Sequence, residues 1–178
     1  AARQKPGAEA ATWLCGTAET APDAAFDLAL MTSHVAQIFV DDAQWARTLK
    51  DLHRALVPGG QLAFDSRDPA ARGWETWDSG GERERFTLPD GQRLETWTEL
   101  GRVADDCVTF TGHVHFPATA ETVTDQSTLR FRSEAELRRS LTAAGFEVQH
   151  IYGGWQRQPV GEGSGKLIVV ARKSAVSH

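Results

Sequence analysis

The sequence predicts an α/β fold with a mainly parallel core sheet, on three observations. Residues 26–33 (FDLALMTS) form a short, almost continuously apolar run, which is typical of a strand covered on both faces. Residues 61–66 (QLAFDS) form a second such run, and a helical pattern separates the two. Because a strand, a helix and a strand follow one another within about forty residues, we expect a right-handed crossover that pairs the strands in parallel.

The helix between these strands is predicted over residues 41–57 from its apolar spacing. Asp41 stands at a capping position and Gln44 follows three residues later, as at many helix starts. Pro58 and Gly59 should end the helix, because proline cannot continue it and glycine tolerates a left-handed turn. The residues that recur on one helix face are Trp45, Leu49, Leu52 and Leu56.

Residues 74–131 have a different pattern, which predicts an antiparallel insert. Residues 88–92 (LPDGQ) have the composition of a turn between two strands. In residues 107–116 (CVTFTGHVHF) apolar and polar side chains alternate, so one face of this strand should pack while the other is wet or lines a cavity. The two faces hold Val108, Phe110, Val114 and Phe116 on one side and Thr109, Thr111, His113 and His115 on the other.

The two ends of the chain complete the predicted sheet. Residues 11–16 (ATWLCG) form a short apolar run, so we expect a buried strand there. Ser133 and Glu136 form the pattern of a capping box, and Gly145 should end the helix that follows. The final apolar runs, residues 146–153 and 166–172, predict a closing hairpin.

Composition restricts the classes of function. The 178 residues suit one domain, and the net charge of −5 without a basic run argues against a nucleic-acid partner. Cys15 and Cys107 lack metal-ligand spacing and suggest a reducing, cytoplasmic location. No apolar run reaches the ~20 residues of a membrane helix. The first residues have no hydrophobic core like that of a signal peptide, and because the chain lacks an initiator methionine we expect a fragment or a processed product.

Three segments, taken in order, resemble class I S-adenosylmethionine-dependent methyltransferases: residues 16–39 (GTAETAPDAAFDLALMTSHVAQIF), 49–69 (LKDLHRALVPGGQLAFDSRDP) and 143–155 (AAGFEVQHIYGGW). The resemblance implies a Rossmann-like methyltransferase sheet formed by residues 1–73 and 132–178, with residues 74–131 inserted over the ligand edge. The sheet would be N-terminally truncated, because the family's glycine-rich donor-binding turn and the acidic residue after its second strand would both precede residue 1.

The resemblance also implies a cofactor site for S-adenosylmethionine at the carboxyl ends of the strands. The implied cofactor-binding residues are Gly16, Thr17, Ala18 and Glu19 beside the adenine and Met31, Thr32 and Ser33 around the sulfonium. His34 is the candidate catalytic base where the acceptor must lose a proton, since its ordinary pKa of ~6.5 suits neutral pH. The alternatives are a plain strand-to-helix loop at residues 16–19 and a histidine that only bonds to a neighbouring loop.

Three further residues are candidates for substrate binding: Arg67, Trp74 and Trp77. Arg67 follows a strand tip that should border the ligand crevice, although it could instead pair with Asp68. The tryptophans could wall a pocket or pack the insert onto the sheet. We expect no metal site, because His113 and His115 have no third ligand at suitable spacing. Residues 161–166 (GEGSGK) do not fit the pattern of a phosphate-binding loop.

The expected function is therefore methyl transfer from S-adenosylmethionine to an unidentified small molecule. The alternative is a non-enzymatic methyltransferase-like module that binds a ligand or partner through its insert. In the family the first strand lies beside the fourth, so its absence would expose a sheet edge. Either upstream residues cover that edge, or residues 11–16 pair with another copy, which would give a homodimer.

Overall fold

The computed structural model describes residues 4–174, and within this range the chain forms two sheets and two α-helices. The core elements are β1 (Phe26–Met31), α1 (Asp42–Ala55), β2 (Leu56–Arg67), α2 (Glu134–Ala143), β7 (Phe146–Tyr152) and β8 (Lys166–Lys173). The remaining strands are β3 (Glu84–Thr87), β4 (Arg93–Ala104), β5 (Cys107–Phe116) and β6 (Glu121–Arg130). None of the described helices is long and apolar enough to cross a membrane.

The first sheet has the order β1-β2-β8-β7. β1 and β2 are parallel, with Met31 opposite Phe64, which confirms the predicted strand–helix–strand unit. β8 runs antiparallel to both β2 and β7, and β7 and β8 form the predicted closing hairpin. This mixed sheet is Rossmann-like, and the carboxyl tips of β1 and β2 lie side by side.

The helices begin where the sequence predicts. The Asp41 carboxylate accepts a hydrogen bond of 2.7 Å from the Gln44 backbone N–H, and α1 follows. Ser133 and Glu136 form the expected capping box at the start of α2. Gly145 has a φ of +95°, a left-handed conformation that glycine adopts without steric cost, directly after α2.

Both helices contribute to one buried cluster on one face of the first sheet. Trp45 of α1 and Leu141 of α2 belong to this cluster together with Phe64 and Val169 of the sheet. Alternate residues of β1 point to the other face, where Leu30 is 61% exposed. Within residues 4–174, helices therefore cover this sheet on one side only.

Two predictions about the amino-terminal third are wrong. Residues 11–16 form no strand, and Trp13 and Leu14 are exposed. A buried strand needs a neighbouring strand to pair with its backbone groups, and the described residues provide none for this segment. β1 was expected to be covered on both faces, but it is an edge strand with Phe26, Leu28 and Leu30 exposed.

The second sheet, β3-β4-β5-β6, is antiparallel throughout and occupies most of residues 74–131. The predicted turn joins β3 to β4, where the Leu88 N–H donates to the Gln92 carbonyl at 2.8 Å. Trp74 precedes this sheet in the chain and Phe131 follows it, and their ring centres lie 4.6 Å apart.

A buried arginine ties α1 to the segment that precedes α2. Arg132 is 4% exposed, donates to the Asp42 carboxylate at 2.8 Å and lies over the Trp45 ring at 5.1 Å. This hydrogen bond and the positive charge of Arg132 lower the pKa of Asp42 below its ordinary value, although burial opposes the shift. Arg132 thereby links the first turn of α1 to the end of the insert.

Candidate functional site

The candidate site lies where β1 and β2 end beside each other. Ser33 and His34, directly beyond β1, both have a φ of 60°, which is uncommon for residues with side chains. A short 3₁₀ turn, Val35–Ile38, then leads the chain towards α1. The residues at both strand tips are polar, and the polar residues at the end of β2 are buried: Asp65 and Ser66 are each 2% exposed. In open α/β sheets, ligands bind outside the carboxyl ends of the strands, which is where these residues lie.

A cleft of about 740 Å³ opens between the loop at residues 17–19, the end of β1 and one side of α1. It brings together four of the predicted cofactor-binding residues: Thr17, Ala18, Glu19 and Met31. Gly16 precedes this loop, and Thr32 and Ser33 are exposed beyond β1, so these three do not line the cleft. The other lining residues are Ile38, Phe39, Gln44, Arg47, Thr48, Lys50, Asp51 and Leu52.

Arg54, near the end of α1, holds the loop that borders this cleft. Its guanidinium donates to the backbone carbonyls of Glu19 and Ala21, each at 2.9 Å, and to that of Ala18 at 3.4 Å. It also forms an ion pair with Asp23. One side chain therefore satisfies three carbonyls of an irregular loop, which the sequence analysis did not anticipate.

His34 lies against Asp65 at the adjacent strand tip. Asp65 accepts a hydrogen bond of 3.2 Å from the His34 backbone N–H, and its second oxygen lies 3.3 Å from Nε2 of the imidazole. Nε2 is buried and lacks an aligned hydrogen-bond partner. Burial lowers the pKa of His34 below 6.5, and the positive charges of Arg67 and Lys166 lower it further, against the opposing charge of Asp65. The imidazole is therefore neutral, and able to accept a proton, at neutral pH.

Arg67 is enclosed by two partners other than Asp68. Its Nη1 donates to the Gln37 side chain at 2.9 Å, and its guanidinium lies 4.9 Å from the centre of the Trp77 ring. Burial lowers the pKa of Arg67, although the Asp65 charge opposes this. The Asp68 carboxylate instead accepts from the Ala70 N–H at 2.9 Å. The alternative in which Arg67 and Asp68 pair with each other is not what the structure shows.

The two candidate tryptophans make the contacts of packing residues. Trp74 meets Phe131 edge-on, and Trp77 meets Phe110 edge-on at 5.2 Å between ring centres. Trp77 also lies 5.9 Å from Phe131. These contacts connect the second sheet to the first and place Trp77 beside Arg67 at the site's border.

The polar face of β5 holds the two histidines that were considered as metal ligands. His113 stacks on Trp97 with 4.6 Å between ring centres and 5° between planes, and His115 is hydrogen-bonded to Thr122 at 3.0 Å. Among residues 4–174, no cluster of three or more His, Cys, Asp or Glu side chains is arranged to hold a metal ion.

Comparisons with known proteins agree with this geometry. A family model described as a methyltransferase domain matches residues 1–64. The cypemycin N-terminal methyltransferase of a Streptomyces species is 26% identical over 152 residues, a match that covers 85% of this chain and 60% of that protein. Together with the parallel β1–β2 pair, these matches support the resemblance to class I S-adenosylmethionine-dependent methyltransferases.

Solved methyltransferases share the fold of this chain. The CcbJ methyltransferase from Streptomyces caelestis superposes with a TM-score of 0.73 at 15% identity, covering 98% of this chain and 68% of that one. CalS10, an amino pentose methyltransferase from Micromonospora echinaspora solved with S-adenosylmethionine bound, gives 0.58 at 16% identity, covering 92% and 61%. The chain thus spans about 60% of the length of its curated relative.

Proposed function

We propose that this chain forms part of an enzyme that transfers a methyl group from S-adenosylmethionine to a small molecule. The observation that carries the proposal is the cleft of about 740 Å³, which joins the loop at residues 17–19 to the end of β1. Its volume falls in the range of small-molecule sites, ~300–1,000 Å³. Because the chain spans about 60% of its curated relative, the activity is proposed for the whole protein.

The residues around the cleft suit a purine and a sulfonium. Backbone groups and the short side chain of Thr17 offer hydrogen bonds to the adenine edge, while Met31 and Phe39 offer apolar walls. S-adenosylmethionine supplies an electrophilic methyl group at its sulfur when bound. We assign Gly16, Thr32 and Ser33 to the borders of the same site, since they adjoin the residues that line the cleft.

The reaction requires orientation and, for a protonated acceptor, one base. The protein's main task would be to hold the acceptor atom in line with the methyl group that the bound cofactor would supply. We propose that His34 accepts the proton that the acceptor loses, because its lowered pKa leaves the imidazole neutral. Arg67, Trp74 and Trp77 would form the wall of the acceptor site, with residues 74–131 as its cover.

We further propose that the acceptor atom is a nitrogen. An amine is mostly protonated in neutral water and must lose a proton to react, which gives a neutral His34 a task. One similar protein is named an N-terminal methyltransferase and another an amino pentose methyltransferase, and both names refer to molecules that carry amino groups.

Binding of S-adenosylhomocysteine tests the cofactor site without a known acceptor. We expect this ligand, but not adenosine at equal concentration, to raise the melting temperature of the full gene product, and Glu19→Gln to reduce the shift. Glu147→Gln on β7, far from the cleft, serves as the matched control and should leave the shift unchanged. If neither the 178-residue chain nor the full gene product responds, the assignment as a methyl-transferring enzyme fails.

We propose that the protein acts in the cytoplasm, because Cys15 and Cys107 are free thiols, as is usual in a reducing compartment.

We also propose that a second copy of the chain pairs along the free edge of β1. Unpaired backbone groups of an edge strand favour pairing with another strand, and three apolar side chains of β1 are exposed. Light scattering should give twice the monomer mass of 19.5 kDa, and Leu30→Lys should lower it. A monomer at every concentration would end the dimer proposal.

A further inference from the structure

The turn that carries His34 is held in an unfavourable conformation. Ser33 and His34 are consecutive residues with a φ of 60°, and the left-handed conformation is unfavourable for residues with a side chain. Such a turn persists only where neighbouring groups compensate for the cost. The backbone on either side is bonded locally, since Val35 N–H reaches the Thr32 carbonyl at 3.4 Å and Gln37 N–H the His34 carbonyl at 2.9 Å.

The compensating group for the turn itself is the Asp65 carboxylate. It accepts the His34 N–H at 3.2 Å, a bond between residues 31 positions apart in the sequence. A hydrogen bond from a backbone N–H to an ionised carboxylate is stronger than one between two neutral groups. Asp65 thus fixes the backbone of His34 and not merely its side chain.

The Asp65 carboxylate is buried, so its stability there depends on the polar groups that it contacts. Asp65 is 2% exposed, and a carboxylate that is buried without partners is strongly destabilising. Its second oxygen faces the imidazole at 3.3 Å from Nε2, and Arg67 extends from the same side of β2, two residues further on. Three residues from two strands supply the charges around His34: Asp65 and Arg67 come from β2, and Lys166 comes from β8.

We propose that Asp65 is a positioning residue for methyl transfer, which holds His34 in the left-handed turn and stabilises its imidazole when it takes up a proton. The inference rests on the proposed function of His34 as the base. When His34 accepts a proton from the acceptor, the imidazolium gains the Asp65 carboxylate 3.3 Å away, and Arg67 opposes this charge. The opposed charges of Asp65 and Arg67 would set the pH at which the base works.

Titration of His34 by NMR tests this without any substrate, with the His34 signal assigned from its loss in His34→Gln. We expect Asp65→Asn to move the pKa of His34 further down, because a stabilising negative charge is lost while the amide oxygen still accepts the backbone N–H. Arg67→Gln should move the pKa up. Asp68→Asn, a neighbouring buried carboxylate that caps Ala70, is the matched control and should leave it unchanged.

A purely structural role predicts a different result. If Asp65 only packed the turn, its loss would expose His34 to water and raise its pKa towards 6.5. An upward shift in Asp65→Asn, or no shift, would overturn the proposal. A second measurement needs no variant: hydrogen exchange at the His34 amide should be slow in the native protein, and fast exchange there would also overturn it. If the native protein did not bind S-adenosylhomocysteine, the proposed function would be refuted. The titration and the amide exchange of His34 would still report on the role of Asp65, since neither needs a ligand.

Discussion

Trp45 offers the sharpest test of how the core is held together. It is 2% exposed, and its indole N–H donates to the Ser140 hydroxyl at 3.0 Å, which joins α1 to α2. Its ring lies 5.7 Å from Phe39 and 5.8 Å from Phe64, between centres. The indole thus bonds to one helix and packs on the sheet at the same time.

The cost of Trp45→Phe follows from these contacts. The lost hydrogen bond contributes about 1 kcal/mol, and a ring smaller by about 50 Å² of surface forfeits about 1 kcal/mol more. A weakened contact with Arg132 and a small cavity raise the total to about 2–3 kcal/mol. With a urea dependence of about 2 kcal/mol per molar, the unfolding midpoint should fall by about 1–1.5 M.

The assay is urea unfolding followed by far-ultraviolet circular dichroism, because fluorescence would change with the number of tryptophans. Trp155→Phe is the matched control, since Trp155 is 62% exposed and the same change there should cost at most about 0.5 kcal/mol. Ser140→Ala isolates the hydrogen bond and should cost about 1 kcal/mol. Equal shifts for Trp45→Phe and Trp155→Phe would refute the account of the core.

Two further outcomes are expected. Arg54→Lys should weaken S-adenosylhomocysteine binding about tenfold, because one ammonium group cannot replace the hydrogen bonds of the guanidinium to three backbone carbonyls. Hydrogen exchange in residues 17–23 should also become faster. Arg139→Lys is the control, and binding that is unchanged in Arg54→Lys would show that this loop does not need Arg54. Asp42→Asn should cost about 0.5 kcal/mol of unfolding free energy at neutral pH. The pKa of Asp42 in the folded protein lies below its ordinary value of 3.8, so this contribution to stability is present above pH 3.8 and is lost as the pH falls through the folded pKa. If Asp42→Asn and the native protein still differed in stability in acid below that pKa, this prediction would be wrong.

The features that the sequence predicted well depend on residues close together in the chain. The caps at Asp41 and Ser133 each involve a partner three residues away, and they form as expected. The parallel pairing of β1 with β2 follows from one helical crossover between them. Local pattern and crossover handedness were enough for this half of the fold.

The features that the sequence missed depend on contacts between distant residues. Asp65 in QLAFDS looks like an ordinary strand end, and its role appears only because His34, 31 positions away, lies beside it. Arg54 looks like the polar side of a helix, yet it bonds to Glu19, 35 positions earlier. The strand expected at residues 11–16 failed for the same reason, since apolar character alone does not supply a pairing partner.

The insert leaves and rejoins the main sheet at nearly the same place. Trp74, at its entry, touches Phe131, at its exit, with 4.6 Å between ring centres. A module whose two ends meet can be exchanged for one of different length or sequence while the strand pairs below it stay intact. Exchanging residues 75–130 between relatives, with Trp74 and Phe131 retained at the seam, would therefore test the proposed role of this segment as the cover of the acceptor site.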